Sequence, residues 1–513
     1  MHISNNIIAA GDKTTAEAAQ EIFWVGGNAF DAAVGAMFTA MIAEPALTSA
    51  GGGGHFMTYT GNGTPILYDF FVDMPSGKIQ DVNLDFFSID VDFGTEKQSF
   101  QIGKGAVAVP GAVAGLLHVQ KLLGKLPLKE ILVPAIRAAK EGVILSDIQA
   151  YLLTVLKPIL LHSEKSRQIY APQGELLKGG ERIVMSQFSD FLDALSHEGV
   201  DLMYKGEVST IIADWAKEGG LIVKSDLENF VVKERKPLKT NYCNHEVFLN
   251  PPPALSGILI DVTLSLLETR SNAKTTSPTI NDLVTACDIT NQLRQEELPD
   301  GMVIGLTPPT QQKSFLSYVE RFTQKMVGRS DLQTPFSRGA TTHISILDKE
   351  GNGASVTTTN GEGCGYILPE AGFMLNNMLG EEDLNPGGFH SLKPGARLPS
   401  MVAPTIVLKG KEPVLLTGSA GSNRIRSVIV QLIVSVLSKG MFIEDSTRAP
   451  RLHLEGNVLH LEPGVSEIEL KELEKWYVVR RWEKQNVFFG GANSVTKERG
   501  TGDPRRGGYS IIC

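Results

Sequence analysis

Cysteine is scarce in this chain. Its 513 residues hold four, Cys243, Cys287, Cys364 and Cys513, with no Cys-x-x-Cys pair among them, a spacing that argues against a zinc site or a disulfide framework. Basic blocks are missing too. No run of five Lys or Arg occurs and the formal net charge is -9, which weighs against a nucleic-acid partner. The longest apolar runs, such as residues 427–437 with Gln431 inside, are too short and too polar to cross a bilayer. The ten histidines form no His-x-x-x-His pair with acidic support, Gly-x-Ser-x-Gly is absent, and the glycine-rich stretches at 51–54 and 418–424 lack a phosphate-cradle lysine. Zinc hydrolysis, a Ser-His-Asp hydrolase and nucleotide binding all lack their signatures. No metal or cofactor is expected, and any base function must come from something other than histidine.

What is present describes a folded protein that acts on small molecules. Hydrophobic residues make up 42% and charged residues 20%, and 52 glycines imply many tight turns. At this length either several domains or one large layered domain is expected. The N-terminus, MHISNNIIAAGDKTTAEAAQ, lacks a basic region followed by an apolar segment and a small-residue cleavage site, which points to the cytoplasm.

Residues 14–26 read as a helix, and Asn28 is placed to cap a second over 29–41, rich in small residues. SAGGGGHFMTYT then enters a strand that continues over 65–71 after a Gly-Asn-Gly turn. Helical spacing dominates 110–142, 186–199, 208–217 and 257–268. Residues 306–340 look like an irregular exposed connection, and strands are expected at 341–347, 354–359, 401–408 and 413–418 before a helix at 424–437. The order is helix-rich first and strand-rich last, with the change at 340/341.

That change falls on TTHISILDKEGNGASVTTT, residues 341–359, which carries five threonines. Strand propensity is one explanation, because a branched Cβ suits a pleated surface. Chemistry on one hydroxyl is the other. A threonine hydroxyl is a weak nucleophile without an adjacent base, and a free α-amine on the same residue is one such base. For Thr341 this requires the bond from Ala340 to be cut.

The same run resembles the start of the small subunit of gamma-glutamyltranspeptidases, and further blocks follow in the same order along nearly the whole chain. These are GGNAFDAAVGAMFTAMIAEPALTSAGGGGHFM, VAVPGAVAGL, PPPALSG, LNNM, PGARLPSMVAPTIVL, TGSAGSNRI and DPRRGG. The resemblance implies an α/β (α+β) fold, the αββα four-layer sandwich of N-terminal-nucleophile (Ntn) hydrolases. It also implies a precursor that cuts itself between Ala340 and Thr341, so that a large region, 1–340, and a small catalytic region, 341–513, form one domain. The implied partners are its own two fragments and an acyl-amide substrate, with no nucleic acid or membrane and with homo-oligomerisation left open.

On this resemblance Thr341 is the nucleophile and Thr359 orients it, while the backbone amides of Gly421 and Ser422 form the oxyanion hole. Substrate contacts fall to Ser400, whose serine partner is replaced by Pro399, to Asn360, and to Glu381, with Glu382 or Asp383 as substitutes. Phe71 stands where well-known members carry an arginine that grips the glutamyl α-carboxylate, a pairing a phenyl ring cannot imitate. The expected activity is cleavage of gamma-glutamyl amides such as glutathione, with transfer to water or an amine. The alternatives are an acylase of the same family acting on another acyl amide, or a non-catalytic homologue that stays uncut.

Overall fold

A computed structural model gives the fold, and it describes residues 3–79, 83–92, 97–271, 277–298, 308–324, 340–385 and 387–513. The first half of the four-layer pattern is built by β1 (Ile7–Ala10), α1 (Lys13–Trp24), α2 (Ala29–Ala43), β2 (Gly53–Thr60) and β3 (Ile66–Phe70). Both helices start where the chain supplies a cap. Asp12 accepts from the Thr14 N–H, and Asn28 closes a capping box with Asp31. All fifteen residues of α2 are buried, because it lies under a sheet and against α1 and the helix Leu128–Glu141. Gly35 permits that approach, since a Cβ there would meet the Ile131 carbonyl oxygen at 2.8 Å.

The other strands of the two large sheets are β4 (Lys233–Arg235), β5 (Leu238–Tyr242), β6 (His245–Leu249), β7 (Thr341–Leu347), β8 (Asn352–Thr359), β9 (Thr405–Lys409), β10 (Glu412–Ala420), β11 (Gly491–Val495), β12 (Gly500–Thr501) and β13 (Tyr509–Ile512). One sheet runs β13-β1-β7-β8-β2-β3-β4 and the other β12-β11-β10-β9-β6-β5. Each pairing is antiparallel.

Side-chain parity separates the layers. Ile8, Ala10, Ile344, Ile346, Ala354 and Val356 join the core with α1 and α2. Ile7, Ala9, Met57, Leu347, Ile406, Leu408 and Leu416 meet between the sheets. On the far side Val247, Leu249, Val407 and Leu415 pack with α3 (Leu255–Ser271), α4 (Ile280–Glu297) and α5 (Arg424–Ile433). The result is helix, sheet, sheet, helix, as the resemblance implies.

One expectation needs correction. The connection expected at 306–340 lies largely outside the described residues, and its described part holds a helix, Phe315–Thr323, whose Tyr318 and Phe322 are buried. The helix-rich first region and the strand-rich last one contribute to the same layers. Each sheet combines strands from before and after residue 340, because antiparallel pairing joins distant segments.

Candidate active site

The hairpin of β7 and β8 is in register Thr341↔Thr359, Thr342↔Thr358 and His343↔Thr357. Alternation sends Thr342 and Thr358 toward the helices and the other two pairs toward the second sheet. Thr342 donates to Glu44 Oε2 at 2.6 Å, and Thr358 shares a 2.7 Å hydrogen bond with Thr48. Thr357 pairs with His343 Nδ1 at 2.7 Å, while His343 Nε2 meets Ser345 Oγ at 2.8 Å. Strand propensity is therefore not the whole account of Thr342, Thr357 and Thr358, since each hydroxyl satisfies a buried polar partner. Burial pushes the His343 imidazole down to about 3, which keeps it neutral and outside proton transfer.

Thr341 and Thr359 differ from these. Thr341 is buried at the first position of its strand, and across from it the Thr359 hydroxyl donates to the carbonyl oxygen of Ala340. The Gly361 N–H in turn donates to Thr359 Oγ1 at 3.1 Å.

Glu362 stands on a tight loop. Its N–H and that of Gly363 both donate to Asn377 Oδ1, at 2.8 and 3.2 Å. Gly361 has φ 60°, and a Cβ there would lie 2.3 Å from Glu381 Oε1, so glycine lets that carboxylate press against the loop. Burial raises the Glu362 carboxyl to about 8, and burial followed by the charges of Glu362 and Asp383 lifts Glu381 well above its ordinary value. Asp383 accepts from Asn423 Nδ2 at 3.1 Å and faces Ser422 Oγ at 3.5 Å. This ties the acidic loop to the turn before α5, where Gly421 (φ 114°) and Ser422 (φ 48°) both take left-handed backbone. A non-glycine residue held there carries strain of a kind found at functional turns.

Other expected residues are arranged differently. Asn360 is buried and donates to the Leu375 carbonyl at 3.4 Å. Ser400 is buried, and its carbonyl accepts from the Leu255 N–H. Glu382 is exposed and stands outside the cluster. Phe71 is 1% exposed and packs with Met378, Leu379, Leu384 and Leu398 around the acidic loop. Beneath it Arg397 bridges Asp69 and Asp73, with Arg235 and His55 also on Asp69.

On the other side of Ala340 lies a cleft of about 40 Å³ lined by Ala340, Leu47, Tyr151, Phe488, Arg424 and Arg506 among others, enough for a water molecule. The structure thus gathers Ala340, Thr341, Thr359, Glu381 and the Gly421–Ser422 turn through shared partners. Sequence reasoning missed Glu362, Glu44 and the two arginines. The signal for Glu362 was a glutamate flanked by two glycines directly after the hairpin.

Comparison with known proteins settles the relationship. A profile described as gamma-glutamyltranspeptidase matches residues 15–513. The chain belongs to the gamma-glutamyltranspeptidase family. It is 30% identical to the glutathione hydrolase proenzyme of Escherichia coli (strain K12), over 91% of this chain and 84% of that one. It is 29% identical to the acylase ACY 1 proenzyme of Pseudomonas sp. (strain SE83), over 90% and 85%. In structure it resembles a cephalosporin acylase from Bacillus halodurans with TM-score 0.82 and 20% identity, covering 100% and 96% of the two chains, which confirms the Ntn-hydrolase fold. As a member of the gamma-glutamyltranspeptidase family the chain is an enzyme of amide hydrolysis or acyl transfer.

Proposed function

We propose that the protein is a self-processing threonine amidohydrolase and acyltransferase that becomes active when the Ala340–Thr341 bond is cut. The observation that carries this reading is the Thr359 hydroxyl on the Ala340 carbonyl, directly across the strand pair from Thr341. Donation to that oxygen draws electron density from the carbonyl carbon and favours attack on it. Thr341 Oγ bonds to the Ala340 carbonyl carbon, the bond to Thr341 N breaks, and the hydroxyl proton passes to the departing nitrogen. Water then adds to the ester carbon, the bond to Oγ breaks, and Oγ regains a proton. The products are residues 1–340 and 341–513, with a free amine on Thr341.

In turnover that amine takes the proton of Thr341 Oγ as the hydroxyl attacks a substrate amide, and the leaving amine carries a proton away. Water or an acceptor amine resolves the acyl-enzyme. The Gly421 and Ser422 amides stabilise the tetrahedral oxygen. Asn360, Glu381 and Ser400 contact the acyl group, and gamma-glutamyl amides such as glutathione are the leading substrates. The similarity to a glutathione hydrolase proenzyme supports this choice.

A second reading, an acylase for another acyl amide, is favoured by one observation. The position of the glutamate-carboxylate arginine is a core phenylalanine, so that clamp is missing. The test is intact mass of the purified chain over time, followed by turnover of a chromogenic gamma-glutamyl anilide. Two fragments beginning at Met1 and Thr341, with anilide turnover, support the first reading. Fragments that turn over only another acyl amide support the second. A chain that stays whole on prolonged incubation removes both. Thr341→Ala leaves the chain uncut and inactive.

A further inference from the structure

Three carboxyl groups gather beside the catalytic hairpin, those of Glu362, Glu381 and Asp383. None of them pairs with a lysine, arginine or histidine among the described residues. Glu362 takes Asn377 Nδ2 at 3.4 Å on Oε2, and its Oε1 has no hydrogen-bond partner among the described residues. A Cβ on Gly361 would lie 2.1 Å from Asn377 Oδ1 and 2.3 Å from Glu381 Oε1, which makes Glu381 a neighbour of the same loop. Asp383 accepts from Asn423 Nδ2 at 3.1 Å and faces Ser422 Oγ at 3.5 Å. The loop begins at Thr359, opposite Thr341, and Glu381 and Asp383 are only half-buried, so a substrate can reach them. We infer that the acyl group this site accepts carries an ammonium and no carboxylate, an ω-amino acyl amide. The simplest case is the gamma-aminobutyryl group, which is the gamma-glutamyl group without its α-carboxylate. This inference rests on the self-processing reading above and gives its second alternative a substrate class.

The buried amides against these acids point to the same ligand. Asn360 is 7% exposed and Asn423 3%. Each spends its Nδ2 on an oxygen, the Leu375 carbonyl at 3.4 Å and the Asp383 carboxyl at 3.1 Å, and a flipped amide would set oxygen against oxygen. Both Oδ1 atoms are left without a partner among the described residues. With Glu362 Oε1 that makes three buried acceptors short of a donor, a deficit that is costly until something supplies N–H groups. An ammonium supplies both the N–H groups and the opposite charge, and a carboxylate supplies neither. The surroundings offer a carboxylate little. Phe71 is a core residue, and the Arg397 guanidinium is spent on Asp69, Asp73 and the Val231 carbonyl. Ser400 brings a hydroxyl without charge.

The experiment uses the cut enzyme, both fragments together, and compares three anilides. The gamma-glutamyl anilide carries ammonium and carboxylate, the gamma-aminobutyryl anilide the ammonium alone, and the glutaryl anilide the carboxylate alone. The gamma-aminobutyryl anilide is expected to give a kcat/KM at least about 10-fold above the gamma-glutamyl one, because an added anion is repelled by carboxyls that have no cation. The glutaryl anilide is expected to be the slowest. Glu381→Gln is expected to raise KM for the gamma-aminobutyryl anilide by about 10-fold with little change in kcat, which narrows its lead over the glutaryl anilide, a shift in selectivity that a packing role would not produce. If that variant does not fold, Asp383→Asn takes its place. Equal or faster turnover of the gamma-glutamyl anilide overturns the inference, and so does a cut enzyme that turns over none of the three. A preference for the glutaryl anilide overturns it as well and gives the acyl carboxylate to Arg424 and Arg506 in the cleft that Ala340 lines. A wild-type chain that stays uncut sinks the self-processing reading itself, whereas a cut chain that prefers gamma-glutamyl sinks only this inference.

Discussion

Thr359 and Ala340 are joined by a hydrogen bond in which the hydroxyl donates to the carbonyl oxygen, while Thr359 sits opposite Thr341 in the strand register. One side chain therefore donates to the carbonyl of the bond proposed to be cut and lies across from the group proposed to cut it. Thr359→Ala is expected to slow conversion of the chain into two fragments by about 100-fold, the scale seen when one donor to a developing oxyanion is lost. Thr359→Ser keeps the hydroxyl and is expected to recover most of the rate. The check is a time course of intact mass, and equal rates for alanine and wild type would contradict it.

Phe71 invites an intuitive repair, Phe71→Arg, to restore a carboxylate-binding cation. The structure leads to the opposite expectation. The ring is 1% exposed among Val72, Met74, Met378, Leu379 and Leu398, so a guanidinium placed there is desolvated among apolar groups. A loss of at least about 3 kcal/mol of stability is expected, with no gain in affinity for gamma-glutamyl substrates. Thermal unfolding and the anilide KM measure the two parts separately.

Glu44 links folding to pH. It is fully buried and accepts from Thr15 and Thr342. Burial and the charge of Asp12 raise its carboxyl to about 8, against the lowering influence of these two hydroxyls and Arg506. Below about pH 4.5 the folded and unfolded chains both keep this proton. As pH rises the unfolded chain releases it first, so stability falls up to about pH 8 and then levels. Glu44→Gln is expected to remove one proton's share of that slope, about 1.4 kcal/mol per pH unit, leaving the share of Glu362. Urea unfolding between pH 5 and 8 reads the difference, and parallel curves would refute it.

Arg397 holds two strands' ends together. It reaches Asp69 at 2.8 Å and Asp73 at 2.6 Å, and it also bonds the Val231 carbonyl. Burial alone would raise the Asp69 carboxyl, yet Arg397, His55 and Arg235 hold it well below the usual range. That contribution is present above the unfolded carboxyl value and is lost as pH falls through the depressed one. Arg397→Met is expected to cost about 3–5 kcal/mol and to remove part of this acid-side loss. Denaturant midpoints at pH 7 and pH 3.5 are the measurement.

Much of the site was legible in the sequence because its logic is local. Asn28 reads as a cap from its place before an apolar run, and it caps α2. The Lys-Glu-Gly-Asn-Gly turn closes a hairpin whose register follows from turn length and alternation, which sets Thr341 opposite Thr359. Phe71 was not legible as a core residue, since its burial depends on Met378, Leu379 and Leu398, about three hundred residues away in the chain. Glu362 was passed over because a single carboxylate in a glycine-flanked loop has no pattern of its own. Its place is set by Asn377, whose Oδ1 accepts from the Glu362 N–H only in the folded chain.

Through its resemblance to one family the amino-acid sequence by itself pointed to the layered fold and the threonine pair, and side-chain alternation, capping and turn length, which act over a few residues, marked the helix starts and the hairpin. Only the tertiary structure decided the electrostatics around that pair. It buried Glu44 and Glu362, packed Phe71 among Met378, Leu379 and Leu398, and brought Arg424 and Arg506 to the cleft that Ala340 lines. Desolvation and charge proximity are properties of the assembled interior, and no short segment of the chain carries them.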